Sequence, residues 1–209
     1  MIRILLVDDH PVVRHGIRQI LVDGLKNVSV GEASDARGAR ASIKGDGWDL
    51  VVLDVTLPGE SGLDLLKDIR RSHPGLPVLV LSMHPAAQFA RRALAAGALG
   101  YLTKESAPTE LVHAVEQIRR GRQYLGSRSH DRDPHAIRSD RPPHDALSDR
   151  EYQVLRMLGS GRTVSEIATS LGLSVKTVST YRARLLDKLQ MRSNAELMRY
   201  AIENGLVDS

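Results

Sequence analysis

The sequence contains no cysteine, and this absence excludes disulfide bonds, thiolate metal sites and a cysteine nucleophile. Aromatic residues make up only 3% of the chain, so a hydrophobic core must be built mainly from aliphatic side chains. No apolar run approaches the roughly 20 residues that a membrane span requires. The N-terminus, MIRILLVDDH, is too short in its apolar part and too acidic to be a signal peptide. These absences predict a cytoplasmic protein that does not associate with membranes.

The bulk composition is that of an ordinary globular chain. Apolar residues account for 42% of the 209 residues and charged residues for 26%, which argues against disorder. This length predicts one or two domains, and two is the better expectation. The net charge of +4 is small and evenly spread. Residues 174–192 are the exception, because basic side chains cluster there with Asp187 as their only acid, and such a cluster attracts polyanions.

Short β-type runs alternate with helical patterns up to about residue 120. The strand candidates are IRILLV, VSVGEA, DLVVLD, PVLVLS and LGYLT, and helices are expected at 11–24, 35–45, 62–72, 86–96 and 107–120. Because each parallel crossover needs a helix, this alternation predicts an α/β domain over residues 1–121. Its predicted core is a five-stranded, doubly wound parallel sheet of the flavodoxin-like type.

The second half of the chain follows a different pattern. Residues 122–146 lose all periodicity and are rich in Arg, Asp, Ser, His and Pro, which is typical of a linker. Residues 147–209 contain only helical patterns, and several of these begin with a Ser or Thr followed three places later by Glu, as in Ser148 with Glu151 and Thr163 with Glu166. The sequence therefore predicts a small all-helical second domain.

Polar side chains are expected at the carboxyl ends of the predicted strands, the edge at which open parallel sheets bind ligands. They are Asp8 and Asp9 after the first strand, Asp54 after the third, Ser82 at the end of the fourth and Lys104 beyond the fifth. Neighbouring carboxylates repel by about 1 kcal/mol per pair in water and about 4 kcal/mol at an effective dielectric constant of 20, so these acids require a cation. Oxygen ligands favour Mg²⁺ or Mn²⁺ over zinc.

An acid beside such a metal ion can receive a phosphoryl group. In this interpretation Asp54 attacks phosphorus, Lys104 neutralises the developing charge and Ser82 donates a hydrogen bond. Each residue taken singly has a simpler explanation, since Asp8-Asp9 is typical of a helix cap or solvated turn and Lys104 of a surface position. Their joint occurrence at predicted strand ends favours the phosphoryl site.

Four motifs in this half resemble the receiver domain of bacterial two-component response regulators. They are VDDH at 7–10, LDVTLPGESGLDLL at 53–66, LS at 81–82 and GYLTK at 100–104. The resemblance implies that a sensor histidine kinase phosphorylates Asp54, that Mg²⁺ is held by Asp8, Asp9, Asp54 and the main-chain carbonyl of Thr56, and that Lys104 and Ser82 bind the phosphoryl group. It also implies that Ser82 and Tyr101 reorient on phosphorylation, although Tyr101 is equally explained by packing.

The second half contains a helix, a turn at Gly172 and a further helix that begins after Ser174, which predicts a helix-turn-helix. At 100° per residue, Val178, Tyr181, Leu185 and Leu189 share one face of the second helix, and Lys176, Thr180 and Arg184 share the opposite face. A free face with Lys, Thr and Arg suits the major groove of DNA, although charged helix faces are often simply solvated.

Residues 147–206 resemble the DNA-binding domain of the LuxR family, through LSDRE at 147–151, EIA at 166–168, LSVKTVS at 173–179 and KL at 188–189. Joined to a receiver, this domain is similar to the NarL/FixJ class of response regulators. We predict contacts to double-stranded promoter DNA from Lys176, Thr180 and Arg184, with Tyr181 and Arg182 as further candidates. The resemblance implies that phosphorylation releases the reader helix and promotes a homodimer, for which Leu197, Met198, Tyr200 and Ala201 offer a seam unless they pack within their own domain.

Two other functions are compatible with parts of the pattern. An Asp nucleophile with Mg²⁺ also serves phosphohydrolases of the haloacid-dehalogenase type, but these place a second acid two residues later, where this chain has Thr56. The chain is therefore not expected to be a turnover enzyme. The other alternative is a DNA-binding protein whose receiver only dimerises and is never phosphorylated.

Overall fold

The structure is a computed structural model that describes residues 1–45, 47–83, 86–126 and 142–207. The chain divides into two compact units, Met1–Ala136 and Ile137–Ser209.

The first unit is built on a parallel sheet. Its strands are β1 (Ile2–Val7), β2 (Val28–Ala33), β3 (Leu50–Asp54), β4 (Val78–Ser82), β5 (Gly100–Thr103) and β6 (Tyr124–Leu125). They are ordered β2-β1-β3-β4-β5-β6, and every neighbouring pair is parallel. All residues of β3 and β4 are buried, as expected of central strands covered on both faces.

Five helices make the crossovers between these strands: α1 (Pro11–Gly24), α2 (Ala36–Gly45), α3 (Gly62–Ser72), α4 (Ala86–Ala95) and α5 (Ala107–Arg119). Pro11 opens α1, where its fixed φ suits the first turn and its missing N–H costs nothing. Ser61 caps α3 by accepting a hydrogen bond from the N–H of Leu63. The predicted α/β class and doubly wound sheet are confirmed, and the predicted bounds differ from the observed ones by one residue at most.

The sheet has one strand more than the five that were predicted. Tyr124 and Leu125 pair with Gly100 and Tyr101, so two residues of the predicted linker form the short β6. The hydroxyl of Tyr124 also donates to Glu110 Oε2 at 2.8 Å, which fastens β6 to α5. Composition had indicated a linker here, but pairing with the edge strand β5 is a tertiary interaction that composition does not report. Residues 127–141 of the predicted linker lie outside the described residues.

The second unit is helical in the described part of the chain. A 3-10 turn at Pro143–Ala146 precedes α6 (Asp149–Gly159), α7 (Val164–Leu171), α8 (Val175–Lys188) and α9 (Asn194–Glu203). Complete capping boxes begin α6 and α7, at Ser148 with Glu151 and at Thr163 with Glu166, as predicted. Gly172 ends α7 in the left-handed conformation at φ 62°, so the turn to α8 is tight. The domain bounds at 121 and 147 stay predictions, although the 3-10 turn joins this unit through a 2.9 Å contact between His144 Nδ1 and the Tyr200 hydroxyl.

Candidate functional site

The carboxyl edge of the sheet collects the predicted site residues of the first unit. Asp54 is the last residue of β3 and Ser82 the last residue of β4. Asp8 follows β1, and Lys104 follows β5 with its N–H bonded to the Ser82 carbonyl at 2.7 Å. Because β1, β3, β4 and β5 are consecutive parallel neighbours, residues far apart in sequence become adjacent, such as Lys104 and Asp54, which are 50 positions apart.

Lys104 joins the two most buried acids of this edge. Its Nζ lies 2.7 Å from Asp54 Oδ2, to which it donates a hydrogen bond, and 2.6 Å from Asp8 Oδ2. Asp8, Asp54 and the Lys104 side chain are 1%, 2% and 6% exposed, so this is a buried charge cluster. The alternative of a surface lysine is therefore wrong. One ammonium shared by two carboxylates leaves the cluster with a net negative charge.

The other oxygen of Asp54 is held by the main chain of the loop between β3 and α3. Thr56 donates its N–H to Asp54 Oδ1 at 3.0 Å. The loop folds back closely, with the Gly62 N–H bonded to the Val55 carbonyl at 2.8 Å. A Cβ atom at residue 62 would collide with the Asp54 carbonyl oxygen, so glycine is required there. The Thr56 side chain is half-buried, and its main chain lies in the loop that orients Asp54.

Burial changes the acidity of the cluster. Desolvation raises the pKa of the Asp54 carboxyl from its ordinary 3.8 to about 6, because it outweighs the lowering effect of Lys104, and the charge of Asp8 adds to the rise. Burial alone would lower the pKa of Lys104, but the carboxylates of Asp54 and Asp8 outweigh it and raise that pKa above its usual range. At neutral pH both groups are therefore charged, and the carboxylates are poorly neutralised.

The donor set fits a hard divalent cation. Asp8, Asp9, His10 and Asp54 each offer a ligand atom, and these atoms lie within 4.8 Å of one another. Asp8 Oδ2 and Asp9 Oδ1 are buried and accept no well-directed hydrogen bond in the described part of the chain, although each lies near a nitrogen of Lys104 or His10. Buried carboxylate oxygens of this kind are suited to Mg²⁺, which prefers oxygen ligands and keeps several waters.

His10 and Arg14 belong to this neighbourhood, and the sequence did not reveal them. The His10 N–H donates to Asp8 Oδ1 at 2.8 Å, and its ring Nδ1 lies 2.8 Å from Asp9 Oδ1. Arg14 Nη1 donates to the Asp8 main-chain carbonyl at 2.7 Å. The letter H of VDDH was visible as a neighbour of the acids, but no local signal marks Arg14, because its contact depends on how α1 folds back over the end of β1.

Ser82 lies on β4, the strand next to β3, and Tyr101 lies on the following strand, β5. Ser82 is fully buried at the end of β4, where it pairs with Thr103. Tyr101 is also fully buried and lies between β4 and β6, paired with Val80 and Leu125. Its reorientation on phosphorylation stays a prediction.

The second unit places the predicted DNA-contacting residues as the helical periodicity predicted. Lys176, Thr180 and Arg184 are exposed on one face of α8, while Val178 and Leu185 on the other face are fully buried. A shallow depression on the exposed face is lined by Lys176, Thr177, Thr180, Tyr181 and Arg184. This surface, which we call the α8 face, combines two cations with two hydroxyl-bearing threonines and a tyrosine.

The two further candidates for DNA contact are half-buried. Helical periodicity placed Tyr181 on the packing face with Val178 and Leu185, but it is not buried with them and lines the edge of the α8 face instead. Arg182 donates from Nε to Asn194 Oδ1 at 2.5 Å, so its side chain ties α8 to the first residue of α9. This contact makes Arg182 a structural residue in addition to any role at DNA.

An ion pair that sequence reasoning missed links α8 to α6. Lys188 Nζ lies 2.7 Å from Oε2 of Glu151, whose side chain is 3% exposed. Glu151 is also the capping-box acid of α6, so one carboxylate caps the start of α6 and contacts α8. Burial opposes ionisation of Glu151, but hydrogen bonds from Lys188 and Ser148 outweigh it and hold its pKa below the usual value.

For two of the four α9 residues considered as a dimer seam, the alternative of packing within their own domain is confirmed. Leu197 and Ala201 are fully buried, because α9 packs against α6 within its own unit. Met198 and Tyr200 are half-buried, and Tyr200 contacts His144. The exposed side of α9 carries Arg199, Ile202 and Glu203 instead.

Among the described helices we find none with the length and apolar character needed to cross a bilayer.

Two family models match the chain. The response regulator receiver domain matches residues 4–116, and the luxR family of bacterial regulatory proteins matches residues 145–201.

Curated relatives align over essentially the whole chain. The chain is 37% identical over 216 residues to response regulator UvrY of Escherichia coli strain K12, covering 100% of this chain and 97% of the relative. It is 36% identical over 214 residues to response regulator GacA of Pseudomonas aeruginosa, covering 100% and 99%. It is 38% identical to transcriptional activator protein ExaE of Pseudomonas putida, covering 98% and 97%.

Solved structures show the same likeness. RcsB from Salmonella enterica serovar Typhimurium, bound to promoter rprA in the presence of the phosphomimetic BeF3⁻, matches with a TM-score of 0.65 and 27% identity, covering 96% of this chain and 98% of that one. A structure of two RcsB dimers bound to two parallel DNAs matches with a TM-score of 0.60 and 30% identity, covering 95% and 97%. A LuxR-family two-component response regulator from Aurantimonas is 41% identical with a TM-score of 0.58, covering 62% and 92%.

Proposed function

Given that the chain belongs to the response regulators that join a receiver domain to a LuxR-family DNA-binding domain, we propose that phosphorylation of Asp54 controls its binding to promoter DNA. The observation that carries this proposal is the contact of Lys104 Nζ with both Asp54 and Asp8, at 2.7 and 2.6 Å. It brings a nucleophilic carboxylate, a fixed cation and a second acid together at the ligand-binding edge of the sheet.

The proposed step is transfer of a phosphoryl group from the phosphohistidine of a sensor kinase. The N–P bond of the donor breaks with its electron pair returning to the imidazole, and a carboxylate oxygen of Asp54 forms the new O–P bond. Lys104 neutralises charge on the transferred oxygens, and the hydroxyl of Ser82 donates a hydrogen bond to one of them. The Thr56 N–H holds the Asp54 carboxylate in a fixed orientation.

Asp8, Asp9, Asp54 and the main-chain carbonyl of Thr56 would hold Mg²⁺. When bound, the ion supplies positive charge to the phosphoryl oxygens and relieves the repulsion between the carboxylates. The buried oxygens of Asp8 and Asp9 that lack a well-directed donor support this role.

For DNA binding we propose that the α8 face enters the major groove. Lys176, Thr180 and Arg184 are its exposed polar residues, and Tyr181 and Arg182 contribute at its edge. If each protomer neutralises three or four phosphates, the logarithm of the affinity should fall with the logarithm of salt concentration at a slope of about −3. A homodimer would read two half-sites about 34 Å apart, one helical turn of DNA.

Phosphorylation adds only about −1.5 to −2 charges at a single point of the first unit, whereas the reader helix belongs to the second unit. We therefore propose that it biases a two-state element containing Ser82 and Tyr101, which releases the reader helix and promotes the homodimer. In this scheme the protein works in the cytoplasm, where its promoter DNA lies, and it is not a turnover enzyme.

The decisive experiment measures phosphate incorporation from phosphoramidate, a small donor whose P–N bond resembles that of phosphohistidine. Wild type, Asp54→Asn and the exposed control Asp23→Asn are compared with Mg²⁺ and with EDTA. Stoichiometric labelling of wild type and of Asp23→Asn that is lost in Asp54→Asn and in EDTA supports the proposal. Repeated turnover would favour a phosphohydrolase, and absence of label would favour a regulator that works without phosphorylation.

A second experiment tests whether phosphorylation of Asp54 changes the affinity for DNA. Protein with and without phosphoramidate is used to select bound fragments from genomic DNA, and the affinity for a selected fragment is then measured. The proposal requires that the donor change the affinity of wild type and leave that of Asp54→Asn unchanged.

A further inference from the structure

Arg14 connects three parts of the receiver domain at the edge of the proposed metal site. It lies in the first turns of α1, and its side chain is 18% exposed. Its Nη1 donates to the main-chain carbonyl of Asp8 at 2.7 Å, and its Nε donates to Glu32 Oε2 on β2 at 2.9 Å. The planar guanidinium therefore spans from the end of β1 to the neighbouring strand.

The carbonyl that Arg14 holds belongs to the peptide linking Asp8 to Asp9. The N–H of Asp8 is already fixed by the Ala33 carbonyl at 3.1 Å. That bond holds the peptide before Asp8, and the contact from Arg14 holds the peptide after it, whose plane sets the direction in which the Asp9 side chain leaves the main chain. Asp9 is 28% exposed, so packing alone holds it less firmly than Asp8.

The positive charge of Arg14 argues against an electrostatic role in attracting the cation. A guanidinium beside a cation site repels the cation, so electrostatics alone would disfavour metal binding. Glu32 offsets part of this charge through its ion pair with Arg14. An arginine in this place favours metal binding only if the fixed geometry of Asp8 and Asp9 outweighs the repulsion.

We propose that Arg14 is a positioning residue for the divalent cation, which acts by locking the Asp8–Asp9 peptide. The inference rests on the proposed Mg²⁺ site at these acids. Partners that orient metal ligands typically contribute 10- to 100-fold in affinity. Because repulsion opposes the geometric effect here, we expect the low end of this range.

The test measures Mg²⁺ affinity of the full chain by isothermal titration calorimetry for wild type, Arg14→Gln and Arg18→Gln. Arg18 is a matched control, because its Nε lies 3.4 Å from Glu32 Oε1 and it pairs with the same acid. Both variants remove one positive charge near Glu32, but only Arg14→Gln removes the donor to the Asp8 carbonyl. We expect Arg14→Gln to weaken Mg²⁺ binding about tenfold, and Arg18→Gln to leave it within about twofold of wild type or slightly tighter.

The direction in which Arg14→Gln changes Mg²⁺ affinity distinguishes a positioning role from electrostatic repulsion alone. Equal or tighter Mg²⁺ binding by Arg14→Gln would overturn the positioning role, since electrostatics alone predicts that result. Failure of wild type to bind Mg²⁺ would instead overturn the proposed metal site. Fluorescence of the single tryptophan, Trp48, monitors folding of the receiver domain. If Arg14→Gln does not fold, Arg14→Lys tests the same point: weaker binding than wild type supports the fixed two-point contact, and equal binding overturns it.

Discussion

Replacement of Asp54 by asparagine should stabilise the receiver domain in the absence of divalent cations. The Asp54 side chain is almost fully buried, and its Oδ2 is 2.7 Å from a lysine that also serves Asp8. Burial raises the pKa of its carboxyl from 3.8 to about 6. A shift of about 2 units corresponds to about 3 kcal/mol by which folding disfavours the charged form.

The pH dependence follows from the direction of this shift. Between pH 3.8 and about 6 the folded state binds more protons at Asp54 than the unfolded state does. The contribution of Asp54 to stability is therefore intact below this window, falls as the pH rises through it and is lost above it. Asparagine has nearly the same shape but never ionises. At pH 7.5 the free energy of unfolding of Asp54→Asn should exceed that of wild type by about 1 to 3 kcal/mol, and loss of the ion pair with Lys104 lowers the value within this range. Near pH 4 the difference should vanish or reverse.

Urea unfolding followed by Trp48 fluorescence measures this difference, because the indole packs over Gly31 in the receiver domain and donates to the Ser42 carbonyl. The exposed acid Asp23, changed to asparagine, is the control and should alter stability by less than about 0.5 kcal/mol. Saturating Mg²⁺ should remove the advantage of Asp54→Asn, since the ion compensates the carboxylates of wild type. A variant less stable than wild type at both pH values without Mg²⁺ would refute the argument from burial.

Three further predictions test other contacts. Lys104→Met should lower the stability of the metal-free receiver domain at pH 7.5 by about 3 to 5 kcal/mol, because two buried carboxylates lose their cation. Mg²⁺ should restore most of this loss in the same unfolding assay. A urea midpoint equal to that of wild type without Mg²⁺ would contradict the ion pairing. Glu151, whose pKa lies below its ordinary 4.5, should stabilise the helical domain above that pH and lose this contribution as the pH falls through the lowered value. In an acid titration, Glu151→Gln should therefore lose less of its helical circular dichroism signal than wild type. An equal loss in both proteins would count against the Lys188 contact. Arg184→Ala should weaken binding to a selected DNA fragment and reduce the magnitude of its salt slope by about 0.9, whereas Arg199→Ala on the exposed side of α9 should leave the slope unchanged.

Local patterns in the sequence were sufficient to predict most of the secondary structure. Alternating apolar runs and helical periodicity predicted strands and helices whose bounds agree with the structure to within a residue, because both signals arise from a few neighbouring side chains. The capping pair Ser148 and Glu151 marked the start of α6 for the same reason. The faces of α8 followed from the helical repeat alone, with Arg184 exposed and Leu185 buried.

Contacts between distant segments were decided only by the tertiary structure. The positions of Asp8, Asp54 and Lys104 at predicted strand ends indicated a common edge of the sheet. Only the order of strands brings Lys104 into contact with both acids, since periodicity does not report which strands are neighbours. No sequence motif announced the Arg14 contact to the Asp8 carbonyl, the ion pair of Lys188 with Glu151 or the pairing of β6 with β5. Each of these contacts joins groups that are far apart in sequence or lie on different elements, and its geometry exists only once those elements have packed.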